Sequence, residues 1–295
     1  MNHKQYKKMY FSDRYSVIRK MLNRIPDAMY LKLVYRMQTG KKLNIDAPKE
    51  YNEWLQYLKL HYRKPEMSIL ADKYNVRKWV EERIGSQYLI PLLGVWDDPG
   101  RIDVQSLPDS FVLKCTHDSG SIVVCRNKRN FDLPAAIAKL AGRAHINYFY
   151  YLREWPYKNI RPRIIAEALL NQDGQPLYDY KFFCFSGEPR FVMTVKDRFL
   201  TPHECVFDMD FVPMNVSLGN PSFPPEEIEK PRNFEEMAAI AKVLSEGYPH
   251  VRVDLYNTGS KIYFGEITFF HWGGFADIRP EEFNLQLGQW IEKGL

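Results

Sequence analysis

"VRVDLYNTGSKIYFGEITFFHWGG", residues 251–274, decides the fold. Apolar and polar residues alternate on both sides of Gly259-Ser260-Lys261, the pattern of a hairpin with one buried and one wetter face. Two acids interrupt this aromatic, β-prone text. Asp254 and Glu266 stand twelve positions apart. They share a face if the strands pair with even parity, and they oppose each other if the bend is centred on Ser260. Gly259 supplies the permissive backbone that such a bend needs. Arg252 and Thr268 then fall on the same face. Hard oxygen ligands beside an arginine are what Mg²⁺ and a phosphate group require. Burying two adjacent acids without a cation would be costly. The plainer alternative is a pair of solvated hairpin acids.

The second anchor is "FVLKCTHDSGS", residues 111–121. Lys114 follows three apolar strand residues and can reach an anion from a β-ladder. Thr116 to Ser121 can cradle phosphate with backbone N–H groups and hydroxyls. An ordinary hairpin bend is the competing reading. A P-loop is excluded, because the lysine precedes the glycine and no GKS or GKT exists. No GxGxxG supports a dinucleotide fold.

The bulk numbers set the frame. A length of 295 residues suits one large domain or two coupled ones. Hydrophobic content of 45% and charged content of 26% exclude a disordered chain. The 19 Tyr, 18 Phe and 6 Trp promise large cores or a sticky face. No apolar run reaches the length of a membrane span. The start, "MNHKQYKKMYFSDRYSVIRK", has no apolar core of a secretory signal, so a cytoplasmic location is expected. Cys115, Cys125, Cys184 and Cys205 match no zinc spacing and read as buried, reduced thiols. The net charge of +5 is concentrated in residues 1–42. That excess suits a membrane surface, a polyanion or a solvated helix face. No nucleic-acid-binding module accompanies it, so no specific nucleic-acid partner is expected.

Along the chain, residues 14–38 read as one or two amphipathic helices interrupted near Pro26. Residues 48–62 give another. A further helix, capped by Asp72 or Asn75, stops at Gly85. Residues 111–125 read as two short strands around a turn, and 134–149 as a helix. "RIIAEALL", residues 163–170, is open between helix and strand. "YDYKFFCFSGEPRFVMTVKDR", residues 178–198, is a hairpin, and 201–225 an irregular Pro/Gly-rich stretch. Helices at 231–246 and in "FNLQLGQWIEKGL" flank the opening hairpin. Helices mixed with antiparallel hairpins give the class α+β rather than a doubly wound sheet.

Taken in order, the lysine strand with its Gly/Ser turn, "IIAEALL", "YDYKFF" and "RVDLYNTGSKIYFGEIT" resemble the ATP-grasp superfamily. The chain is more closely similar to the TupA-like ATP-grasp proteins of bacterial surface polysaccharide biosynthesis. That similarity spans roughly residues 67–291 and includes "DKYNVRKWVEERIG", "KCTHDSGS" and "FFHWGGF". It implies an ATP-grasp fold of two subdomains clamping ATP, a lid at about 110–166 and a metal-binding part at about 167–291, preceded by a helical segment 1–66. It also implies roles. Lys114 would hold the inner phosphates, with His117, Asp118, Ser119, Gly120 and Ser121 over the outer ones. Glu167 would read the adenosine end, with backbone groups of Ala168 and Leu169. Asp254 and Glu266 would bind Mg²⁺, and Arg252 would face phosphate. Lys181 is a looser match for a second phosphate contact. Many members read Glu-x-Asn on the metal strand; here Thr268, a shorter and weaker ligand, holds the asparagine position.

The implied activity is an ATP-dependent carboxylate–amine ligation through an acylphosphate. His271 and His117 are candidates to remove a proton from the amine, or are loop histidines bonded to backbone. Gly273 and Gly274 would let the backbone approach a ligand, while Trp272 stacks on a sugar or closes the core. The resemblance makes Asp72 and Lys73 acceptor-site or lid contacts, or, for Asp72, a helix cap alone. Arg198 would face an anionic acceptor. The expected partners are an acidic sugar or glycan intermediate, such as a uronic acid, and an amine. Residues 1–66 would dock on the core, form a homodimer or rest on the inner membrane surface. The alternatives are a kinase of a sugar hydroxyl and a non-catalytic subunit of glycan machinery with a decayed nucleotide site.

Overall fold

A computed structural model describes residues 3–12, 16–170, 177–196 and 202–295. Arg198 therefore lies outside the described residues. Two antiparallel sheets organise the molecule. The first has four strands, β1 (Leu92–Trp96), β2 (Phe111–Cys115), β3 (Ile122–Cys125) and β4 (Ile164–Ala168), in the order β1-β4-β2-β3. The second has five, β5 (Asp179–Phe185), β6 (Glu188–Lys196), β7 (His203–Asp208), β8 (His250–Asn257) and β9 (Ile262–Thr268), in the order β7-β6-β5-β8-β9. The class is α+β, as the mixture of hairpins and helices implies.

Two segments take shape from their neighbours. Residues 163–170, ambiguous in sequence, form β4 because β1 and β2 pair with its two edges. The irregular stretch 201–225 contains β7, which pairs with β6. Its short "HECVFD" is followed closely by Pro- and Gly-rich text, which hides the strand pattern.

Ten α-helices are described. Three lead the chain: α1 (His3–Tyr10), α2 (Ser16–Leu22) and α3 (Asp27–Thr39). Pro26 ends the turn before α3, whose C-terminus closes on Gly40 at φ 74°. The next, α4 (Tyr51–His61), starts with a capping box between Glu50 and Glu53. The shorter α5 (Glu66–Ala71) and α6 (Val76–Ile84) follow. Asp72 accepts from the backbone N–H groups of Tyr74 and Asn75 in the turn that leads into α6, whose N-cap position is Asn75 and carries no side-chain capping bond. Between the sheets' strands run α7 (Leu133–Ala144), α8 (Phe149–Leu152) and α9 (Phe234–Ser245), and α10 (Glu281–Glu292) closes the chain.

The largest core surrounds the five-stranded sheet, with α4, α5, α6, α9 and α10 contributing Leu55, Leu70, Val80, Met237 and Leu287. Strand β5 is buried at every position, which explains why "DYKFFCF" shows no clean alternation. The four-stranded sheet packs Phe111, Leu113 and Ile164 with Leu140 of α7. All four cysteines are buried and free. A third core is aromatic: Tyr6, Tyr10, Tyr30 and Tyr35 meet Tyr148 and Tyr151. Arg153, fully buried, locks this core. Its guanidinium donates to the carbonyls of Leu22 and Ile25 and pairs with Asp27 at 2.9 Å. Of the three fates open to the front of the chain, docking on the body is thus realised. Among the described residues no helix is long and apolar enough to cross a membrane.

Candidate active site

The site begins with the register of β8 and β9. Asp254 lies directly opposite Glu266, and Arg252 opposite Thr268. The turn itself pairs Asn257 with Ile262, half a residue out of step with that arrangement, and a bulge between Asp254 and Leu255 restores it. Gly265 is the unpaired residue of the bulge. A Cβ there would lie 3.0 Å from the Asp254 carbonyl oxygen, so only glycine fits without displacement. The parity that the acids need is therefore made by Gly265 as well as by Gly259.

Two cationic side chains converge on Asp254, which is 2% exposed. Arg252 donates Nε to Asp254 Oδ1 at 2.6 Å and Nη2 to Oδ2 at 2.8 Å, a bidentate pair. Lys181, on the neighbouring strand β5, donates to Asp254 Oδ2 at 2.6 Å and to Asp179 at 3.1 Å. The same Arg252 Nη2 lies 3.2 Å from Glu266 Oε1 and 3.1 Å from Thr268 Oγ1. One cationic nitrogen thus sits where three oxygens meet. Neighbouring carboxylates raise the Arg252 guanidinium's proton affinity against the opposing effect of burial. Glu266, with 34% of its side chain exposed, is the open member.

His271 takes a place other than the expected one. Its Nδ1 accepts from Arg252 Nη1 at 2.7 Å, and its Nε2 bonds the Leu218 carbonyl at 3.2 Å. Burial, then the Arg252 charge, hold it neutral, well below the ordinary histidine pKa. Both nitrogens are occupied, one of them by backbone as in the second reading of this loop histidine, and the ring holds Arg252 in place. Gly273 and Gly274 are likewise turned inward. Their carbonyls accept from Gln56 and from Lys59, and a Cβ on Gly274 would meet Gln56 at 2.2 Å. The backbone of Gly274 approaches α4, and that of Gly273 approaches Leu152 of α8, more closely than side chains would permit. Trp272 is half-buried.

The four-stranded sheet supplies the other wall. Lys114 of β2 pairs with Glu167 of β4 at 2.6 Å, and Arg77 of α6 pairs with the same carboxylate at 3.2 Å. Ala168 gives its amide hydrogen to the Pro91 carbonyl, so that group is spent inside the sheet; Leu169 follows the last residue of β4. The turn after β2 divides sharply. His117, Asp118 and Ser121 are buried; only Ser119 and Gly120 are exposed. Asp118 accepts from Ser121 and from Arg143 Nε at 2.8 Å, and His117 bonds the Arg143 carbonyl. The expected five-residue cradle is therefore a two-residue tip, Ser119-Gly120, on a buried frame. Thr116 Oγ1, His117 Nδ1 and Asp118 Oδ1 remain buried without partners, an energetic cost concentrated beside the tip.

The two walls enclose a cleft of about 370 Å³. Lys73, Arg77, Lys114 and Lys139 line it against Glu167 and Glu266, with Tyr256 and Phe264 as apolar surface. Four cations against two acids favour a polyanion with a flat apolar end. A second cavity of about 390 Å³ adjoins it, sharing Ser119 and Glu266 and adding Arg252 and Thr268. Arg77, Lys139, Arg143 and Glu154 carried no signal of their own in the sequence, since each is a single charge within ordinary helical or turn text.

Among the described residues no three His, Cys, Asp or Glu side chains form a metal cage. The oxygens of Asp254, Glu266 and Thr268 nonetheless fit a hard divalent cation, since a positive nitrogen already occupies their meeting point. Further ligands would come from water and a bound phosphate.

The profile of the TupA-like ATP-grasp family matches residues 53–292. No curated protein matches in sequence. Among solved structures, a D-alanine–D-alanine ligase from Helicobacter pylori is similar at 12% identity, over 84% of this chain and 69% of that one, with a TM-score of 0.46. A D-alanine–D-alanine ligase from Bacillus anthracis complexed with ATP is similar at 10% identity, over 78% and 69%, with a TM-score of 0.40. A D-cycloserine synthetase is similar at 16%, over 78% and 72%, with a TM-score of 0.42. The family match extends across both sheets and every element that lines the cationic cleft, and on that ground the chain belongs to the TupA-like ATP-grasp family.

Proposed function

We propose that the protein is an ATP-dependent carboxylate–amine ligase that acts on an acidic sugar or glycan intermediate, such as a uronic acid, in surface polysaccharide biosynthesis. The observation that carries this reading is the cationic cleft ending at the opposed pair Asp254 and Glu266. Lys73, Arg77, Lys114 and Lys139 neutralise the nucleotide's phosphates, and the Ser119-Gly120 tip covers them. Tyr256 and Phe264 take the base. Glu167, held by Lys114 and Arg77, positions both cations until phosphate competes for them. Asp254, Glu266 and Thr268 would hold Mg²⁺, which neutralises charge on phosphate oxygens when bound.

A substrate carboxylate oxygen attacks the γ-phosphorus and ADP leaves. Arg252 and Lys181, already fixed beside Asp254, face the transferred group. An amine then attacks the acyl carbon, phosphate departs and the amine loses a proton. No protein nucleophile is required. The acceptor and the glycan setting follow from the family resemblance. A peripheral contact with the inner membrane surface is also in keeping with the front of the chain. There Val17, Ile18, Met21, Met29 and Leu33 are exposed beside Lys20 and Arg24.

The test is calorimetric binding of ADP and of a non-hydrolysable ATP analogue, with and without Mg²⁺, to wild type and Glu266→Gln. Mg²⁺-dependent binding that weakens in the folded variant supports the reading. Absence of nucleotide binding by folded wild type removes both ligase and kinase. Product analysis then separates those two, because a kinase leaves a phosphoester and a ligase an amide.

A further inference from the structure

The second cavity has a wall that the nucleotide reading does not use. Glu154 follows α8 and precedes the short turn Trp155–Tyr157. It is 7% exposed, and what is exposed opens into the cavity, between Tyr148, Tyr157 and Gly273. A Cβ built on Gly273 would lie 3.4 Å from Glu154 Oε1, which places the carboxylate against the His271–Gly274 turn.

Among the described residues no side chain or amide donates a hydrogen bond to this carboxylate, and no Lys, Arg or His nitrogen lies within 4.0 Å of it. Lys59, Lys7 and Arg252 act on the carboxylate through space, the last two from the cavity wall; Lys7 donates to the Ser119 carbonyl at 3.3 Å, and the Lys59 ammonium is committed elsewhere too. It donates to the Gly273 carbonyl at 2.6 Å and to Gln56 at 2.9 Å, and it sits 5.7 Å from the centre of the Phe270 ring and 5.2 Å from that of Phe275. Burial raises the Glu154 carboxyl above the ordinary carboxylate range, with the Lys59 and Lys7 charges opposing. A buried carboxylate left without a donor is costly unless a ligand completes it. The missing group must be a donor, and a cationic one gains most.

The position gives that donor a purpose. The cavity also holds Arg252, Glu266 and Thr268, and so meets the nucleotide cleft at the phosphate-transfer end. A ligase must seat its amine there, within reach of the activated acyl carbon. We infer that Glu154 is the carboxylate that binds the ammonium of the amine co-substrate and takes one of its protons before the free amine attacks, with the aromatic walls of this cavity, Tyr148, Tyr157, Phe270 and Trp272, enclosing the rest of that molecule. Cation–π attraction to those rings adds to the preference for an ammonium over a neutral group. The inference rests on the ligase reading and names the site of its second substrate.

The experiment uses the full chain with ADP and Mg²⁺ present. Saturation-transfer NMR would follow D-glucosamine, D-galactosamine, glycine, D-alanine and ethanolamine, each beside its N-acetyl counterpart. At least one free amine binds wild type and its N-acetylated form does not. Glu154→Gln, which keeps the shape and removes the charge, weakens that amine by tenfold or more. Glu154→Asp keeps the preference for the amine, and both variants bind ADP as wild type does. Equal amine binding by Glu154→Gln overturns the assignment, as does a nucleotide-binding wild type that prefers no free amine. Should Glu154→Gln fail to fold, loss of the amine preference in Glu154→Asp overturns it as well. A wild type that binds no ADP defeats the ligase reading itself, a result distinct from these.

Discussion

The two sheets carry equivalent sets of charges in different states. On the five-stranded sheet, Asp254 is matched by Arg252 and Lys181 in a buried network in which each oxygen has a donor. On the four-stranded sheet, Lys114 and Arg77 share Glu167 at the rim of an open cleft. The first arrangement is completed by the protein; the second keeps one positive charge in excess and is a placeholder that an anion can replace. The difference teaches that Asp254 belongs to the framework as much as to the chemistry, whereas Lys114 is free to exchange its partner.

Asp254→Asn should show the largest effect. It leaves Arg252 and Lys181 buried with too little negative charge, and breaking such a network costs about 3–5 kcal/mol. Urea unfolding should reveal a loss of that size; a loss under about 1 kcal/mol would erase the contrast between the sheets.

Acid should act next, and through the buried face of the same sheet. Burial pushes His250 down to about 3, and His271 is also held neutral. The unfolded chain takes up two protons near pH 6.5 that these folded rings refuse. Stability is therefore complete above that value and is lost as the pH falls toward 5. Glu154 opposes, since burial raises its folded carboxyl above the unfolded value, while Lys59, lowered by burial in the same pair, acts with the histidines. Melting temperatures should fall between pH 7 and pH 5, and the fall should be steeper in Glu154→Gln, which removes the opposing group. An unchanged slope would show that Glu154 does not titrate as its burial requires.

Lys114→Met sharpens the other side of the comparison. Nucleotide affinity should fall about tenfold, the equivalent of one lost charged contact of about 1.4 kcal/mol. Because Arg77 still pairs with Glu167, stability should change less than in Asp254→Asn. Calorimetry and unfolding on the same sample decide it. The smallest effect is expected for Thr268→Val, which removes one weak oxygen from the meeting point of Arg252 and Glu266. The Mg²⁺ concentration for half-maximal nucleotide binding should rise only a few-fold; a complete loss would make Thr268 a principal ligand.

Much of this site was legible in the chain. Asp254, Glu266, Arg252 and Thr268 lie on one face because strand side chains alternate with a period of two, and Lys114 precedes a turn with the composition for anion contact. Legibility failed where several elements meet. His271 looked free for proton transfer, and only its packing shows Arg252 and Leu218 claiming both nitrogens. The loop 117–121 looked uniformly polar, yet Arg143, more than twenty positions on, draws Asp118 inward and leaves Ser119-Gly120 at the surface.

The sequence by itself determined the α+β class, the family and the hairpin that opposes two acids, since these depend on local periodicity and turn residues. Tertiary structure alone decided that residues 163–170 are a strand, that Gly265 corrects the register and that Glu154 faces a cavity without a donor. Strand pairing, bulge placement and desolvation depend on which distant atoms a residue meets, and no local pattern encodes those neighbours.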